Sequence, residues 1–597
     1  MTEIDPISVE IVKSAIDSIA NEMFWTAIRA SKSPIFYETY DFSTAVTSHK
    51  GDIVAISIGL PLWAGVMKFL VKGMLDEVEK SEGVNQGDII ISNDPYLTGT
   101  HTNDVGLIMP VFYKDEVVAV MAAKGHVNDV GGINPGTWGP GSREIYQEGL
   151  FLPPVKFYSE GKLNKDVAKI ILANTRIPDY LYGDLEALAA GLRVGNKRIH
   201  ELIVKYNVEV LKTAIASLLE EGRKASFKRL KELPKGEFYA EDFLDDDYVT
   251  GNPLKLTARI KITDEKFVVD FSENPKCIEA PINNTYPATF AAVAVTYIAI
   301  IDPHARISQG LLEPLEVIAP AGTIFHAVRP YPVSVYWETM SYAADLVWKA
   351  LAPYIPDRLS AGHFLSVTAE IIAGIDPRSK EYFILVEPNP GGWGASLDKD
   401  GESALVAFAD GETYANSVEV LERRFPIIVD RFELNTKDGA GHGKYRGGFG
   451  IVKDYRLLCD KAVFTTATNR SKFPPWGVNR GLSGTCNYMA IIRNGQEIMR
   501  TSRILNYELR RNDVVSIRSG GGGGWGDPLE RDPSAVLQDI INGYISIDVA
   551  RDVYGVVIDP ITMTVHWEET NQLREKIKSK STVKANTSLT YHSSKLF

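Results

Sequence analysis

Two His-x-x-Asp units lie close together near position 100 of this 597-residue chain. Asp104 follows His101 by three residues, and Asp129 follows His126 by the same spacing. Imidazole nitrogens and carboxylate oxygens are the ligands of catalytic zinc and of non-haem iron or manganese sites. Taken alone, such a unit is more often a surface histidine beside a turn aspartate. The elements that carry the two units therefore decide between these interpretations.

The segment between the two units has the pattern of one β-hairpin. We predict strands over residues 105–113 and 117–124, joined by a three-residue turn, Lys114-Asp115-Glu116. In this register Asp104 faces His126. Directly opposed residues on one face of an antiparallel pair have Cβ atoms ~4.5–5.5 Å apart, which suits two side chains that share one cation.

The predicted ligand set is His101, Asp104 and His126. Two imidazoles and one carboxylate leave coordination positions open, as catalytic metal sites do, whereas a closed structural site would need a fourth protein ligand. Gly99 and Gly125, beside the histidines, would let the backbone bend there. The alternative is a metal-free acid/base pair in which a carboxylate orients an imidazole.

Three further carboxylates are candidates for proton transfer. Asp41 follows the first predicted helix. In the functional interpretation it is a further ligand or a base beside the metal, and in the structural interpretation it is a turn or cap residue. Asp129 falls opposite His101 in the predicted register and could orient its second ring nitrogen or act as the base. Glu148 is a candidate for proton transfer or a hydrogen-bonded structural carboxylate. Gly520–Gly524 lacks the Lys-[Ser/Thr] of a P-loop, so a tight loop is favoured over a phosphate cradle.

The chain's composition is that of an ordinary globular protein. It contains 45% hydrophobic and 23% charged residues, with a formal net charge of −12 and interspersed charges, so no nucleic-acid surface is indicated. The N-terminus MTEIDPISVE is not typical of a signal peptide, and no stretch approaches the ~18 apolar residues of a membrane span. Three widely spaced cysteines indicate neither disulfides nor a thiolate zinc site. We therefore expect a cytoplasmic protein.

The alternation of patterns predicts a mixed α/β (α+β) protein of several lobes. Residues 1–160 read as an N-terminal α/β lobe that contains the metal-binding hairpin. Residues 161–235 read as a helical segment, and 236–380 as a mixed β/α lobe. Residues 381–575 read as a glycine-rich β lobe with a C-terminal helix, and 576–597 as a flexible tail.

Three long motifs together resemble the hydantoinase B family, also called the 5-oxoprolinase C-terminal-half family. The first comprises GTHTNDVGLIMPVF, AAKGHVNDVGGINPGTWG and IYQEGLFLPPVK. The second is SVEVLERRFPIIVDRFELNTKDGAGHGKYRGGFGIVKDY, and the third is GGGGGWGDPLERDPSAVLQDIINGYISIDVARDVYGVV. The resemblance covers residues 5–560.

The resemblance implies a metal-dependent, ATP-dependent enzyme that works with a partner chain. Members include components of ATP-dependent hydantoinases and lactamases, 5-oxoprolinase, and acetone and acetophenone carboxylases. Their partner is a hydantoinase A-type subunit with an actin-like ATPase fold, in a heterotetramer or larger assembly, which uses ATP and Mg. In the carboxylase the related polypeptide holds manganese through His, Asp and His at the spacing of His101, Asp104 and His126. The metal here is accordingly expected to be Zn or Mn, with Fe as a further option.

Three functions remain open on this basis. The first is the hydrolytic subunit of a cyclic amidase that acts on a hydantoin, oxoproline or lactam activated by phosphorylation. The second is the carboxylating subunit of a ketone carboxylase, and the third is a non-catalytic scaffold for the ATPase. Thr102-Asn103 and Val127 depart from the pattern of many members, and this leaves the substrate open.

Overall fold

The computed structural model describes residues 5–411 and 413–592, and it contains helices and several separate sheets. The α-helices are α1 Pro6–Ala30, α2 Pro34–Tyr37, α3 Trp63–Glu79, α4 Pro95–Thr98, α5 Lys165–Ala173, α6 Pro178–Tyr206, α7 Val208–Leu230, α8 Tyr286–Ile301, α9 Trp337–Leu351, α10 Val418–Arg424, α11 Pro533–Ile541, α12 Ile547–Asp552 and α13 Trp567–His592. Short 3-10 helices cover Ile145–Gln147, Gln309–Leu312, Phe408–Asp410 and Pro528–Glu530.

Twenty-two strands accompany these helices in the described part of the chain. They are β1 Phe42–Ser48, β2 Ile53–Ile56, β3 Ile89–Ser92, β4 Asp104–Tyr113, β5 Glu116–His126, β6 Val155–Ser159, β7 Lys162–Leu163, β8 Gly236–Leu244, β9 Leu254–Ile262, β10 Phe267–Asp270, β11 Leu315–Ile318, β12 Glu370–Ile375, β13 Tyr382–Glu387, β14 Ile427–Leu434, β15 Ile451–Leu457, β16 Lys461–Ala467, β17 Tyr488–Arg493, β18 Gln496–Thr501, β19 Arg503–Arg510, β20 Val514–Arg518, β21 Ile558–Asp559 and β22 Thr564–Val565.

The largest sheet carries the candidate site. Its seven strands lie in the order β2-β1-β5-β4-β3-β6-β7, and every neighbouring pair is antiparallel. Helices α1 and α6 pack against each other, and α6 also contacts β4 and β5. The strands β4 and β5 are therefore buried along most of their length, which explains their nearly continuous apolar sequence.

Three other sheets of at least four strands and one two-stranded sheet, β21-β22, are present in the described part of the chain. Their orders are β11-β10-β9-β8, β13-β12-β16-β19 and β14-β15-β20-β17-β18. One large core joins the first sheet, the helices that follow it and the β8–β11 sheet. A second core lies between the β12–β13 and β14–β15 sheets, and a small third core lies under α11 and α12.

The mixed α+β architecture predicted from the sequence is confirmed. The predicted helical segment corresponds to α5, α6 and α7. Asp5 caps α1 by accepting from the amides of Ile7 and Ser8, as the Asp-Pro start predicts. The tail predicted over 576–597 is helical as far as His592, where α13 ends, and residues 593–597 lie outside the described part. No described helix combines the length and the apolar character needed to traverse a bilayer.

Candidate metal centre

The hairpin that carries the site has a shorter turn than predicted but the predicted register. The turn contains two residues, Lys114 and Asp115, rather than three, so Tyr113 faces Glu116. Lys114 adopts a φ of 55°, in the left-handed region that tight hairpin turns use. A β-bulge at Val118 then inserts one unpaired residue and restores the predicted pairing for the remainder of both strands.

As a result, Asp104 lies directly opposite His126 at the end of the ladder. His101 reaches the same point from the loop between α4 and β4. The Nε2 atom of His101 lies 3.1 Å from Oδ1 of Asp104 and 3.0 Å from Nδ1 of His126. The third edge, from Nδ1 of His126 to Oδ1 of Asp104, is 3.1 Å. The three predicted ligands thus form a buried triangle of ligand atoms.

The hydrogen-bond partners of this triangle show that it is deficient in donors. Nδ1 of His101 lies 3.0 Å from the carbonyl oxygen of Ser334. A carbonyl only accepts, so Nδ1 carries the proton and Nε2 presents a lone pair to Asp104 when the ring is neutral. Oδ2 of Asp104 and Nε2 of His126 are buried without a hydrogen-bond partner among the described residues. A cation between the three atoms would satisfy this arrangement.

The electrostatics of Asp104 agree with a site for positive charge. Burial raises the pKa of this carboxyl, but positive charge and hydrogen bonds from the two imidazoles outweigh burial and hold the pKa well below its usual range. A positive charge at the triangle thus keeps Asp104 ionised. A buried ionised carboxylate requires a compensating charge nearby.

The two glycines beside the histidines have different roles. Gly99 ends α4 with a φ of 85°, so the predicted bend before His101 is confirmed. The bend predicted at Gly125 is wrong, because this residue lies within the regular strand β5. A Cβ atom there would lie 2.6 Å from Cβ of Phe42, so close packing of β1 on β5 requires glycine.

The triangle opens onto a cavity with aromatic and apolar walls. Four aromatic side chains line it, namely Trp63, Trp138, Tyr336 and Trp337. His101 packs against two of them, with ring centroids 5.1 Å from Tyr336 and 5.5 Å from Trp337. The other apolar lining residues are Ile35, Leu60, Val367, Ala369, Val386 and Pro388. Residues from five separate parts of the chain thus enclose the site.

Asp41 lines the same cavity, as its predicted role requires. Its backbone carbonyl accepts from the amide of His126 at 3.0 Å, which fixes it beside the triangle. Burial raises the pKa of the Asp41 carboxyl to about 7; His126 opposes this rise, and the charges of Asp104 and Asp410 add to it. A carboxyl with this pKa exchanges protons readily near neutral pH.

Asp410 also lines the cavity and was not predicted from the sequence. It ends a 3-10 helix, Phe408–Asp410, more than 280 residues from the hairpin. Burial, and then the charge of Asp104, raise the pKa of its carboxyl to about 7. No local motif surrounds this aspartate, so the sequence offers no signal for it.

Glu148 supports the site from outside the cavity. Its carboxylate accepts from the Ser142 hydroxyl at 2.5 Å and from the backbone amides of Val333 and Ser334 at 2.9 and 3.0 Å. The carbonyl of Ser334 in turn accepts from His101. Burial raises the pKa of Glu148 to about 7, against these hydrogen bonds. The contacts of Glu148 therefore agree with the second alternative, a hydrogen-bonded structural carboxylate, which here positions His101.

Asp129 does not orient His101, and this expectation is wrong. Both of its oxygens are engaged elsewhere: Oδ1 accepts from the Arg176 guanidinium at 2.9 Å and from the Gly136 amide at 3.0 Å, and Oδ2 accepts from the Arg176 backbone amide at 2.8 Å. Asp129 is also absent from the cavity lining. The ladder ends at His126, so the predicted pairing of His101 with Asp129 does not form.

Lys124 is a second residue that was not predicted. Its Nζ donates to the backbone carbonyl of Asp104 at 2.8 Å and lies 5.6 Å from the ring centroid of Trp63. The side chain is fully buried, and burial lowers its pKa to about 8 although Asp104 and Asp94 oppose the change. Its position two residues before His126, on the same face of β5, is a signal that the sequence did contain.

The glycine-rich loop is a tight structural loop, as favoured above. All five backbone amides of Gly520–Gly524 are used: they donate to Asn487, Thr485, Gly448, Gly362 and Leu482, respectively. A phosphate cradle needs free amides that point at the ligand. This loop therefore has none to offer.

The fold and the site together define a mixed α+β protein with a buried His/Asp/His ligand set. The chain matches the Hydantoinase B/oxoprolinase family over residues 5–528 and belongs to that family. An uncharacterized protein of Methanocaldococcus jannaschii, MJ0963, is 35% identical over 96% of this chain and 100% of its own length. A putative D-/L-hydantoinase of Pseudomonas sp. has a B component that is 31% identical over 96% of this chain and 99% of its own length. The beta component of the caprolactamase of Pseudomonas jessenii is 31% identical over 94% and 97%.

Two solved structures share the fold. The ATP-dependent caprolactamase of Pseudomonas jessenii superposes with a TM-score of 0.89 at 28% identity, covering 96% of this chain and 100% of that one. Acetone carboxylase in its nucleotide-free structure also gives a TM-score of 0.89, at 21% identity, covering 97% and 84%. The latter likeness concerns the fold alone. The chain is thus a Hydantoinase B/oxoprolinase family member that shares its fold with the caprolactamase.

Proposed function

We propose that this chain is the metal-dependent hydrolytic subunit of an ATP-dependent cyclic amidase. The observation that carries the proposal is the buried triangle of His101, Asp104 and His126, whose ligand atoms face one another without enough protons to satisfy them. The names of two relatives support a two-component cyclic amidase. Each name designates one component of a multi-component enzyme, and each names a ring amide as the substrate. The ATP requirement would place such a complex in the cytoplasm.

The triangle fits a divalent cation. His101, Asp104 and His126 would hold the ion, since ligand atoms 3.0–3.1 Å apart can all reach one cation. Zn, Mn and Fe each accept two imidazoles and one carboxylate. When bound, such an ion supplies Lewis acidity for the substrate oxygen and makes water more acidic.

The chain's own residues would perform the remaining tasks. Asp41 would take the proton of the attacking water, because it lines the cavity and its carboxyl has a pKa of about 7. Glu148 would hold the Ser334 carbonyl that fixes the tautomer of His101. The aromatic walls would exclude bulk water from the reacting ring.

Activation of the amide would occur in the partner. An unactivated amide resists hydrolysis, and we propose that a hydantoinase A-type ATPase phosphorylates the substrate before this chain opens the ring. The engagement of all five glycine-loop amides supports a nucleotide site outside this chain.

The test uses the complex of this chain with its ATPase partner and measures ring opening, ATP consumption and incorporation of labelled bicarbonate. We expect ATP-dependent ring opening without incorporation, and His126→Ala should abolish it while the complex stays intact. His304→Ala, at an exposed histidine away from the site, is the matched control. Incorporation of bicarbonate would instead indicate a carboxylase. Unchanged turnover in the His126 variant would indicate a scaffold.

A further inference from the structure

The cavity beside the triangle has a one-sided charge. Its ionisable lining residues, apart from the two histidines and Tyr336, are three aspartates: Asp41, Asp104 and Asp410. Neither lysine nor arginine is found among the described lining residues. Residue 412 lies outside the described part and is a glutamate in the sequence, so it adds no cation.

Lys124 does not change this balance. Its ammonium is buried behind Asp104 and donates to the backbone carbonyl of that residue, and the side chain does not line the cavity. Positive charge would therefore be available at one place only, the cation held by the triangle, and the proposed function gives that place to the amide oxygen under attack. An anionic group elsewhere on the same ring would be left unpaired among carboxylates, which is costly in a desolvated site.

The cavity does offer neutral donors. The indole Nε1–H groups of Trp63 and Trp337 are buried, and no described residue accepts a hydrogen bond from either. Both tryptophans line the cavity. A buried indole N–H usually has an acceptor, so these two lining residues are suited to donate to oxygen atoms of a bound molecule.

We propose that the cavity selects uncharged cyclic amides over ring acids, and that Trp63 and Trp337 donate hydrogen bonds to oxygen atoms of the ring. This inference rests on the proposed function, since it names the class of ring that the same site accepts. Uncharged lactams and hydantoins satisfy the requirement. A ring that carries a carboxylate, such as 5-oxoproline, does not.

Matched pairs of rings test the charge requirement directly. Binding to the metal-loaded complex is measured by calorimetry for 5-oxoproline against 2-pyrrolidinone and 5-oxoprolinamide, and for hydantoin-5-acetic acid against hydantoin. We expect each neutral ring to bind ~100-fold tighter than its acid, the factor expected for one unpaired charge near the carboxylates. Equal or tighter binding of the acids, or no binding of any neutral ring, would overturn the inference.

Turnover of the same rings separates the inference from the proposed function. A neutral preference in binding without ATP-dependent ring opening would remove the hydrolytic function but leave the selectivity standing. In Asp410→Asn, measured well above the pKa of about 7 of the wild-type carboxyl, the preference for neutral rings should narrow by ~10-fold because one carboxylate charge is gone. Asp398→Asn removes the charge of an exposed aspartate outside the cavity lining, so its preference should match that of the wild type.

Tryptophan-to-phenylalanine variants test the donors. Trp63→Phe and Trp337→Phe keep an aromatic ring in the wall but remove the pyrrole ring with its N–H, so KM or the Kd of a neutral ring should rise ~2–10-fold for each. Trp25→Phe, at a partly exposed tryptophan outside the cavity lining, should leave both constants unchanged. Unchanged affinity in both cavity variants, with folded protein shown by near-UV circular dichroism, would refute the role of the indoles.

Discussion

Glu148→Gln tests whether a residue that never touches the cation can control how the triangle binds it. The carboxylate of Glu148 accepts from the amides of Val333 and Ser334 on different oxygens. A glutamine has one oxygen, and its NH2 group has no lone pair, so one buried backbone N–H must lose its acceptor. The loss of that acceptor costs ~1–3 kcal/mol. This loss destabilises the segment that contains Ser334, whose carbonyl accepts a hydrogen bond from His101.

The expected consequence is weaker metal binding in a protein that still folds. Loss of an outer-shell partner of a metal-binding histidine typically lowers affinity 10–100-fold, or ~1.4–2.7 kcal/mol, which agrees with the cost of the lost acceptor. Competition with a chromophoric chelator measures the Kd for Mn and Zn, and chemical denaturation of the metal-free protein measures folding separately. Glu79→Gln, at an exposed glutamate of α3, is the control.

Two outcomes would refute this reasoning. Wild-type metal affinity in Glu148→Gln would show that the Ser334 carbonyl does not set the tautomer of His101. A large loss of stability in the metal-free protein with no change in affinity would show that Glu148 is a purely structural carboxylate.

Three further predictions concern a ligand, a buried acid and a glycine. Asp104→Asn keeps the side chain's shape but removes its charge. Metal affinity, measured by mass spectrometry of the metal retained after dialysis, should therefore fall by more than the ~100-fold typical of outer-shell changes. Burial raises the pKa of Glu338 to about 8, so its contribution to stability is present below pH ~4.5 and lost as pH rises through 8. In Glu338→Gln, whose amide can donate to the Ser366 hydroxyl, the unfolding free energy from urea titrations should therefore fall less over this range than in the wild type. Gly125→Ala should cost ~1–3 kcal/mol of unfolding free energy, because its Cβ would overlap Phe42.

The hairpin shows why the ligand set could be predicted from the sequence. The predicted register rests on a symmetric turn centred on Asp115, which places Asp104 opposite His126. That turn is one residue longer than the observed one, yet the bulge at Val118 absorbs the difference. The predicted pairing of Asp104 with His126 is therefore correct although the turn residues are misassigned.

The features of the site that the sequence did not predict depend on contacts between residues far apart in the chain. Asp129 was placed by extending the ladder beyond His126, but Arg176 captures its carboxylate through an ion pair that no local pattern predicts. Asp410 and Trp337 reach the cavity only because separate lobes pack through one shared core. The triangle is encoded within 26 residues of one hairpin, whereas the walls that would choose its substrate come from the assembly of the whole chain. The candidate metal ligands can therefore be found by register and spacing, whereas the proposed selectivity of the site can be derived only from its three-dimensional lining.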